Sequence, residues 1–244
     1  MNTKTAMTVL LSGCIACGAF SCTDMDEYRK ISGDEEIVYP GKIEQVVVNT
    51  GHERVIVNGI CRSDPKIVSC RIYWDLGTRY EEVPVDMSGG AFRIEKEITL
   101  PENTYNFDIY TYDAAGNRSV PVNVSSKTYG EQYEASLTNR LVKSFAVQDG
   151  KAVIEWWNIE TTLGPFETEV VYTNGSAEQV ELLVPIGEMT TVLEDYDMVS
   201  EVEYTTFYRP DTLCVDVFRS APSQMRLDGA ELELPDRCVS RYGS

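Results

Sequence analysis

The sequence predicts an all-β chain built from two tandem antiparallel β-sandwiches. From Ile37 onward, short runs rich in Val, Ile, Thr and Tyr recur about every 8 to 12 residues, with Gly, Pro, Asn and Asp between them. No part of this region has the apolar period of about 3.6 residues that marks an amphipathic helix. The two halves of the region also resemble each other, which is typical of a duplicated domain.

The first 22 residues have the features of an export signal. Lys4 precedes an apolar run of about 15 residues that ends at Phe20, shorter than the roughly 20 residues that span a bilayer. A cysteine directly after the cut is typical of bacterial lipoproteins, so we interpret residues 1–21 as the signal peptide and Cys22 as the lipidated residue. Cutting before Cys14 would leave an apolar core of only about seven or eight residues, which favours Cys22.

We interpret residues 22–36 as an acidic flexible tether. They carry Asp and Glu with few apolar residues, so they cannot bury a core. Beyond Cys22 the sequence has no apolar segment of about 18 residues, so the lipid alone is expected to attach the protein to a membrane.

Two sets of candidate strands follow the tether. The first domain is expected over residues 37–128 and the second over residues 137–234, with a C-terminal tail at 235–244. The candidate strands of the first domain are 43–48, 54–60, 67–74, 80–85, 92–100, 105–112 and 120–124. Those of the second domain are 141–147, 152–156, 167–173, 180–184, 190–193, 202–208 and 214–218.

Two patterns indicate the type of sandwich. Leu100 precedes Tyr105, which opens an alternating strand, and this resembles the tyrosine corner of fibronectin type III domains, where the phenol bonds a nearby backbone group. In the second half, Trp156 ends an alternating run and is expected in the core. Tyr105 and Tyr204 lie 99 positions apart at corresponding places, which supports a duplication.

Several segments resemble a lipoprotein family of gut Bacteroidota that has no assigned activity. The matching segments are 39–42, 71–74, 110–121, 136–140, 169–174, 208–210 and 216–218. The resemblance implies tandem fibronectin type III-like or Ig-like modules, a place at the outer membrane on the cell surface, and a link to polysaccharide-utilisation systems. Its implied partners are a polysaccharide or oligosaccharide and the outer-membrane components that transport glycans.

Composition and motifs argue against several functions. A net charge of −18 repels nucleic acid, which binds clustered Lys and Arg. His52 is the only histidine, so no second imidazole is present for a zinc site, and Asp113 with Asn117 offers too few oxygen ligands for calcium. We therefore predict no catalytic residue, metal or cofactor. One alternative is a small glycoside-active enzyme with two carboxylates about 5 to 10 Å apart, and another is a protein adhesion module.

The cysteines leave two possibilities open. Cys14 lies inside the predicted signal peptide, whereas Cys61, Cys70, Cys214 and Cys238 belong to the mature chain and can pair in several ways. Cys61 and Cys70 flank a predicted loop between strands, so they are one candidate disulfide. The alternative is a set of buried thiols.

Alternation along two strands predicts a set of outward side chains. If Phe107 faces the core, then Asp108, Tyr110 and Tyr112 face outward. On the strand at 67–74, the same alternation predicts one set of buried side chains and one set of exposed side chains. The buried set is Val68, Cys70, Ile72 and Trp74, and the exposed set is Arg71 and Tyr73.

In a fibronectin-like sandwich these two strands are neighbours, so the outward residues would form one aromatic shelf suited to sugar rings. Trp157, beside the expected core residue Trp156, is a further exposed candidate for ligand contact. The alternatives for the shelf are stabilisation of the sheet and contact with another domain or partner. Together these features predict a non-catalytic surface lipoprotein that acts as a glycan-binding or spacer component.

Overall fold

A computed structural model of the protein describes residues 39–62 and 64–227. The predicted signal peptide, Cys22, the tether, Cys238 and the C-terminal tail lie outside these residues. The described residues belong to one compact unit. In the part that the structure describes, no helix is long and apolar enough to cross a membrane.

Among the residues that the structure describes, the first half contains seven strands in two antiparallel sheets. One sheet has the order β1-β2-β5 and the other β4-β3-β6-β7. Their facing sides enclose a core in which Val55, Val57, Ile72, Phe107 and Ile109 are fully buried. The strands are β1 (Glu44–Gly51), β2 (Arg54–Cys61), β3 (Ile67–Trp74), β4 (Arg79–Pro84), β5 (Phe92–Thr99), β6 (Thr104–Asp113) and β7 (Val122–Lys127).

The second half repeats this arrangement around a core of its own. One sheet has the order β12-β9-β8, and the other has the order β11-β10-β13-β14, with β15 also paired to β13. The all-β class with tandem antiparallel sandwiches is thereby confirmed, while the domain limits stay a prediction. The strands are β8 (Val142–Gln148), β9 (Lys151–Trp156), β10 (Pro165–Thr173), β11 (Gln179–Pro185), β12 (Thr190–Leu193), β13 (Val202–Tyr208), β14 (Phe218–Arg219) and β15 (Ser223–Met225).

Both patterns used to assign the sandwich type are present. The Tyr105 hydroxyl donates to the Pro101 carbonyl at 3.0 Å, as a tyrosine corner requires. Trp156 is 1% exposed, and its indole Nε1 donates to Thr191 Oγ1 at 2.9 Å. Each half therefore contains an aromatic side chain whose polar group is hydrogen-bonded. The hydrogen bond offsets the free-energy cost of removing that group from water.

Two predictions about strands are wrong. Val68 is 45% exposed because the pairing of β3 with β6 shifts between Ile67 and Ser69, as at a β-bulge, and the shift breaks the alternation. The predicted strand at 214–218 is a loop over most of its length, and pairing with β13 begins only at Phe218. That loop is held instead by the first half of the chain.

A short helix that the sequence did not predict joins the two halves. Helix α1 (Glu131–Ala135) follows β7, and the Glu102 carboxylate accepts hydrogen bonds from the Gln132 and Tyr133 N–H groups at 2.7 and 3.0 Å. A carboxylate at this end of a helix satisfies N–H groups that have no partner within the helix. The residues around α1 form a third apolar core with residues of the second half: Tyr129, Tyr133, Leu137, Tyr208, Cys214 and Phe218.

Residues 211–217, which we call the junction loop, bond the β1–β2 turn of the first half. Asp216 accepts from Arg54 Nη2 at 2.6 Å and from the His52 N–H at 2.8 Å. Asp211 accepts from Thr50 Oγ1 at 3.0 Å and from the Tyr129 hydroxyl at 2.9 Å. Because both acids belong to one loop, several charge-assisted hydrogen bonds fix one sandwich on the other.

The structure has Cys61, Cys70 and Cys214 as free, buried thiols. Burial, with a smaller contribution from Glu44, raises the pKa of Cys61 to about 11, and burial, with a smaller contribution from Cys61, raises the pKa of Cys70 to about 12. Such thiols behave as small apolar core residues and have little thiolate at neutral pH.

Candidate functional site

Strands β3 and β6 are neighbours, as the sequence predicted, and they bring the predicted residues onto one sheet face. Arg71 lies opposite Tyr110, and Tyr73 lies opposite Asp108. Residues that face each other across an antiparallel pair point to the same side of the sheet. The outer face of this sheet therefore carries the predicted shelf, which lies opposite the core.

Four tyrosines on this face form a connected group, which we call the tyrosine cluster: Tyr73, Tyr80, Tyr110 and Tyr112. The Tyr73 ring is central, with its centroid 5.1 Å from that of Tyr80 and 5.8 Å from that of Tyr110 in an edge-to-face arrangement. Its hydroxyl lies 3.0 Å from the Tyr112 hydroxyl. Contacts of this geometry stabilise aromatic pairs beyond the area that they bury.

Two arginines lie against the rings of the tyrosine cluster. Arg71 Cζ is 4.4 Å from the centroid of Tyr112 and 5.4 Å from that of Tyr80. Arg118 Cζ is 4.9 Å from the centroid of Tyr110. Each guanidinium is within the range at which the negative face of a ring attracts a cation. The cluster thus combines aromatic rings with arginine side chains that lie on them.

Arg71 is also paired with a carboxylate on β4. Its Nε lies 3.2 Å from Glu82 Oε2, an ion pair whose angle at Nε is not that of a hydrogen bond. The pKa of Arg71 is raised by Tyr73 first and then by Glu82. The pKa of Glu82 is lowered by its hydrogen bond to Ser69 and next by Arg71. Arg71 is therefore charged at every physiological pH, and its position is fixed from two sides.

The prediction that Tyr112 is exposed is wrong. Its ring is on the outer face, but only 9% of the residue is accessible, because Arg71 covers the ring and Tyr73 meets the hydroxyl. Tyr73 and Tyr110 are half-buried. The most accessible ring of the cluster is that of Tyr80, which is 49% exposed.

Tyr80 is a member of the shelf that the alternation along β3 and β6 does not predict. Tyr80 lies opposite Tyr73 in the pairing of β3 with β4, which places both rings on the same face. The signal was present in the sequence, since the predicted strand at 80–85 begins with this tyrosine. Placing Tyr80 beside Tyr73 also requires the identity of the strand that pairs with β3 and the register of that pairing.

The two remaining predicted residues have different positions. Asp108 is on the same face and accepts a hydrogen bond from Asn123 Nδ2 of β7 at 2.6 Å, so an acid and an amide border the rings. Trp157 lies after β9, in a different sheet, and is not part of the tyrosine cluster. It is 53% exposed, with Lys143 Nζ 5.9 Å from its ring.

Within residues 39–62 and 64–227, no group of three or more His, Cys, Asp or Glu side chains is placed to hold a metal ion. His52 lies at the junction, with Nε2 3.4 Å from Glu134 Oε1 and its ring 5.8 Å from that of Phe218. The prediction that the protein has no enzymatic activity stays a prediction.

A groove lies along the open edge of the first sandwich. It has a volume of about 650 Å³ and runs between β1, β7 and the junction loop. Its lining is mainly apolar, with Val46, Val48 and Val124 on its walls and Asp211 and Lys127 among its polar residues. None of its lining residues belongs to the tyrosine cluster.

Comparison with known proteins identifies a family without a known function. A segment of two fibronectin type III domains from chicken tenascin is 11% identical, with 76% of this chain and 98% of that chain covered and a TM-score of 0.28. The FN1–FN3 domains of chicken CNTN1 are 10% identical, with 77% of this chain and 66% of that chain covered and a TM-score of 0.37. The search of curated proteins gives no match. The model of DUF4998, a domain of unknown function, matches residues 22–218, so the chain belongs to the DUF4998 family.

Proposed function

We propose that this protein is a non-catalytic, lipid-anchored component of the outer membrane that binds glycans at the cell surface through its tyrosine cluster. The observation that carries the proposal is the joining of Tyr73, Tyr80 and Tyr110 on one open sheet face. The glycan belongs to a polysaccharide-utilisation system, and the expected neighbours are outer-membrane glycan transport components. The tandem sandwich architecture suits a binding or adhesion module.

The chemistry of the tyrosine cluster suits a sugar chain. Pyranose rings present apolar C–H faces that stack on aromatic rings, and their hydroxyls need donors and acceptors close by. Tyr80 supplies the accessible ring, while Asp108 and Asn123 supply an acceptor and a donor at the border. The surface carries charges of both signs, with Arg71 and Arg118 on the rings and Glu82 and Asp108 beside them, so it suits a neutral glycan better than a strongly charged one.

The test is glycan binding by the mature protein and two variants at Tyr80. The wild-type protein is screened on a glycan array and then titrated with the best neutral oligosaccharide by calorimetry. We expect Tyr80→Ala to weaken binding about tenfold, which is ~1.4 kcal/mol, because the accessible stacking surface is lost. Tyr80→Phe keeps the ring and should bind within about twofold of wild type. Failure to bind any glycan, or equal binding by Tyr80→Ala, would contradict the proposal.

A second candidate function is that of a spacer, and the junction favours it. Asp211 and Asp216 bond residues at the β1–β2 turn of the first half, so the two sandwiches keep a fixed relative position, as a spacer requires. A spacer needs no ligand. Loss of growth on a polysaccharide after deletion of the gene, with restoration by the Tyr80→Ala variant, would support the spacer over the glycan-binding role.

The lipid anchor has a separate test. We expect Cys22→Ser to abolish labelling by a fatty-acid analogue, because the thiol is the acylated group, whereas Cys14→Ser should label normally. Protease added to whole cells should degrade the wild-type protein if it lies on the outer surface. Unchanged labelling of the Cys22→Ser variant would contradict the proposed lipid anchor. Protection of the wild-type protein from protease would contradict the proposed location on the cell surface.

A further inference from the structure

The groove of the first sandwich lies between two strands that are open on their outer sides. β1 is the last strand of one sheet, and β7 is the last strand of the other. The two strands meet at one end, where the Tyr129 N–H donates to the Gly51 carbonyl at 3.0 Å. Among the described residues, neither has a second partner strand along the groove. The open edge of a strand is a template for pairing with another chain segment.

The backbone of β1 shows how such a segment can bond. The Thr50 N–H donates to the Leu213 carbonyl at 3.2 Å, and the Thr50 carbonyl accepts from the Val215 N–H at 2.9 Å. The junction loop therefore bonds this edge in the way that a neighbouring strand does. Backbone groups two residues apart in a strand point to the same side, so those of Val48 point towards the groove. The described part of the chain provides no backbone partner for them.

β7 presents an edge of the same kind from the other side of the groove. The Thr128 N–H donates to the Asn103 carbonyl, next to β6, whereas the Tyr129 N–H donates towards β1. By the same alternation, the backbone groups of Ser125 and Lys127 point towards the groove. An extended segment in the groove can therefore form main-chain hydrogen bonds, while its alternate side chains enter the groove and determine specificity.

The lining of the groove determines which segment fits. Val46, Val48 and Val124 make its inner wall apolar. Val124 lies opposite the fully buried Phe107 and so faces the inside of the sandwich. The Ser126 hydroxyl, also in the lining, is buried and has no hydrogen-bond partner among the described residues. The volume of about 650 Å³ is within the range of about 300 to 1,000 Å³ that ligand sites have. The groove therefore suits a segment whose alternate side chains are apolar.

The border of the groove has one unpaired cation. Lys127 is exposed, with Nζ 4.8 Å from the centroid of the Tyr129 ring. Among the described residues, no carboxylate lies within ion-pair distance of it. Asp211, the acid of the lining, already accepts hydrogen bonds from Thr50 Oγ1 and the Tyr129 hydroxyl. A segment in which apolar and acidic side chains alternate therefore matches both the inner wall and the border.

The chain contains such a segment at residues 230–234, with the sequence Ala-Glu-Leu-Glu-Leu, outside the described residues. The whole segment cannot lie in the groove of its own copy. Met225 lies opposite Val202, at the start of β13, whereas Tyr208, at the end of β13, belongs to the third apolar core at the junction. β13 spans about 20 Å, but the chain from Met225 to Ala230 spans at most about 17 Å.

We propose that residues 230–234 of one copy add as a strand in the groove of a second copy. The apolar side chains of the segment lie on Val46, Val48 and Val124, and its glutamates lie at the border beside Lys127. The segment leaves the second half at the end away from the junction, whereas the groove belongs to the first half. Such a contact uses two different surfaces and joins copies head to tail.

The test is the size of the mature protein, measured by sedimentation velocity at rising protein concentration. All samples carry Cys22→Ser, so that lipid does not itself cause association. We expect species larger than one copy. Leu232→Asp should weaken association about tenfold, because it places a charge against the apolar wall of the groove.

An exchange of charges tests the register of the contact. Lys127→Glu should weaken association severalfold, because it brings like charges together, and Glu231→Lys with Glu233→Lys in the same chain should restore it. Lys66→Glu makes the same change of charge at an exposed lysine of the β2–β3 loop and should leave association unchanged. Tyr80→Ala should also associate normally, which separates this contact from glycan binding at the tyrosine cluster.

A cross-link shows whether the contact is between copies. A copy with Lys127→Cys is mixed with a copy that carries Glu233→Cys, each with Cys238→Ser, and oxidised glutathione converts adjacent thiols to a disulfide. We expect a linked pair in the mixture and none with the Lys127→Cys copy alone. Single copies at every concentration, association that Leu232→Asp does not weaken, equal effects of Lys127→Glu and Lys66→Glu, or no linked pair in the mixture would each overturn the proposal.

Discussion

The hydroxyl of Tyr105 holds the crossing between the two sheets of the first half through its bond to the Pro101 carbonyl. We expect Tyr105→Phe to lower the free energy of unfolding by about 1 kcal/mol, because it removes one hydrogen bond and keeps the ring. Urea denaturation measures the change. Tyr39→Phe is the control, since Tyr39 is 64% exposed. Equal stability of the two variants would show that the corner bond contributes nothing.

The residues of the tyrosine cluster show which positions the two-residue alternation of a strand can predict and which it cannot. The outer-face positions of Arg71, Tyr73 and Tyr110 follow from the two-residue period of a strand, and the structure has them there. The burial of Tyr112 does not follow, because it depends on where the Arg71 side chain lies. The part played by Tyr80 depends on the register between two strands, which a single sequence does not contain.

The junction loop and β14 offer a test of the third apolar core. Phe218 is 3% exposed and packs edge-to-face on Tyr133, with ring centroids 4.9 Å apart. We expect Phe218→Ala to lower the free energy of unfolding by about 3 kcal/mol, because a large buried ring leaves a cavity. Its neighbour Val217 is 43% exposed, so Val217→Ala should change stability by less than about 0.5 kcal/mol. Similar losses in both variants, measured by urea denaturation, would contradict this assignment.

The same element explains the wrong strand at 214–218. Cys214 and Phe218 are buried, whereas Val215 and Val217 are exposed, so the residues do alternate. The alternation arises from contacts with α1 and the β1–β2 turn, and the backbone is a loop until Phe218. A two-residue period therefore shows only that alternate side chains are buried and exposed. A β-strand is one structure that produces this pattern, and a packed loop is another.

The joining of the two sandwiches through Asp216 predicts a dependence of stability on pH. The hydrogen bond from Arg54 lowers the pKa of Asp216 below its ordinary value of 3.8. A lowered pKa in the folded state contributes stability above the unfolded pKa, and this contribution is lost as the pH falls through the folded pKa. We expect Asp216→Asn to cost about 1 kcal/mol at pH 7, since the pair is partly exposed, and much less near pH 2.

Urea denaturation at the two pH values checks this prediction. Asp149→Asn, which changes an exposed carboxylate on the β8–β9 turn, is the control for a general change of charge. Its effect should be smaller than that of Asp216→Asn at pH 7. A loss in the Asp216→Asn variant that is the same at both pH values would show that the charge of Asp216 does not stabilise the junction.

Across the molecule, the sequence indicated the duplication and the all-β class because both arise from short-range repetition. The contacts between the junction loop and the first half do not arise from short-range repetition, so the sequence did not predict them. The polar bonds among them connect residues 82 to 164 positions apart, and Asp211, Asp216 and Arg54 belong to no local motif. Residue types at such separations give no periodic signal, so only the assembled fold reveals the pairing.

The long separation of these bonding partners also sets an order of events during biosynthesis. The strands of the first sandwich end at Lys127, so they can pair as soon as that stretch has emerged from the ribosome or the export channel. The β1–β2 turn then has to wait for the junction loop, which arrives more than 80 residues later. Until then Thr50 and the Tyr129 hydroxyl lack their Asp211 acceptor and Arg54 has only Glu97, so we expect docking of the junction loop to complete folding.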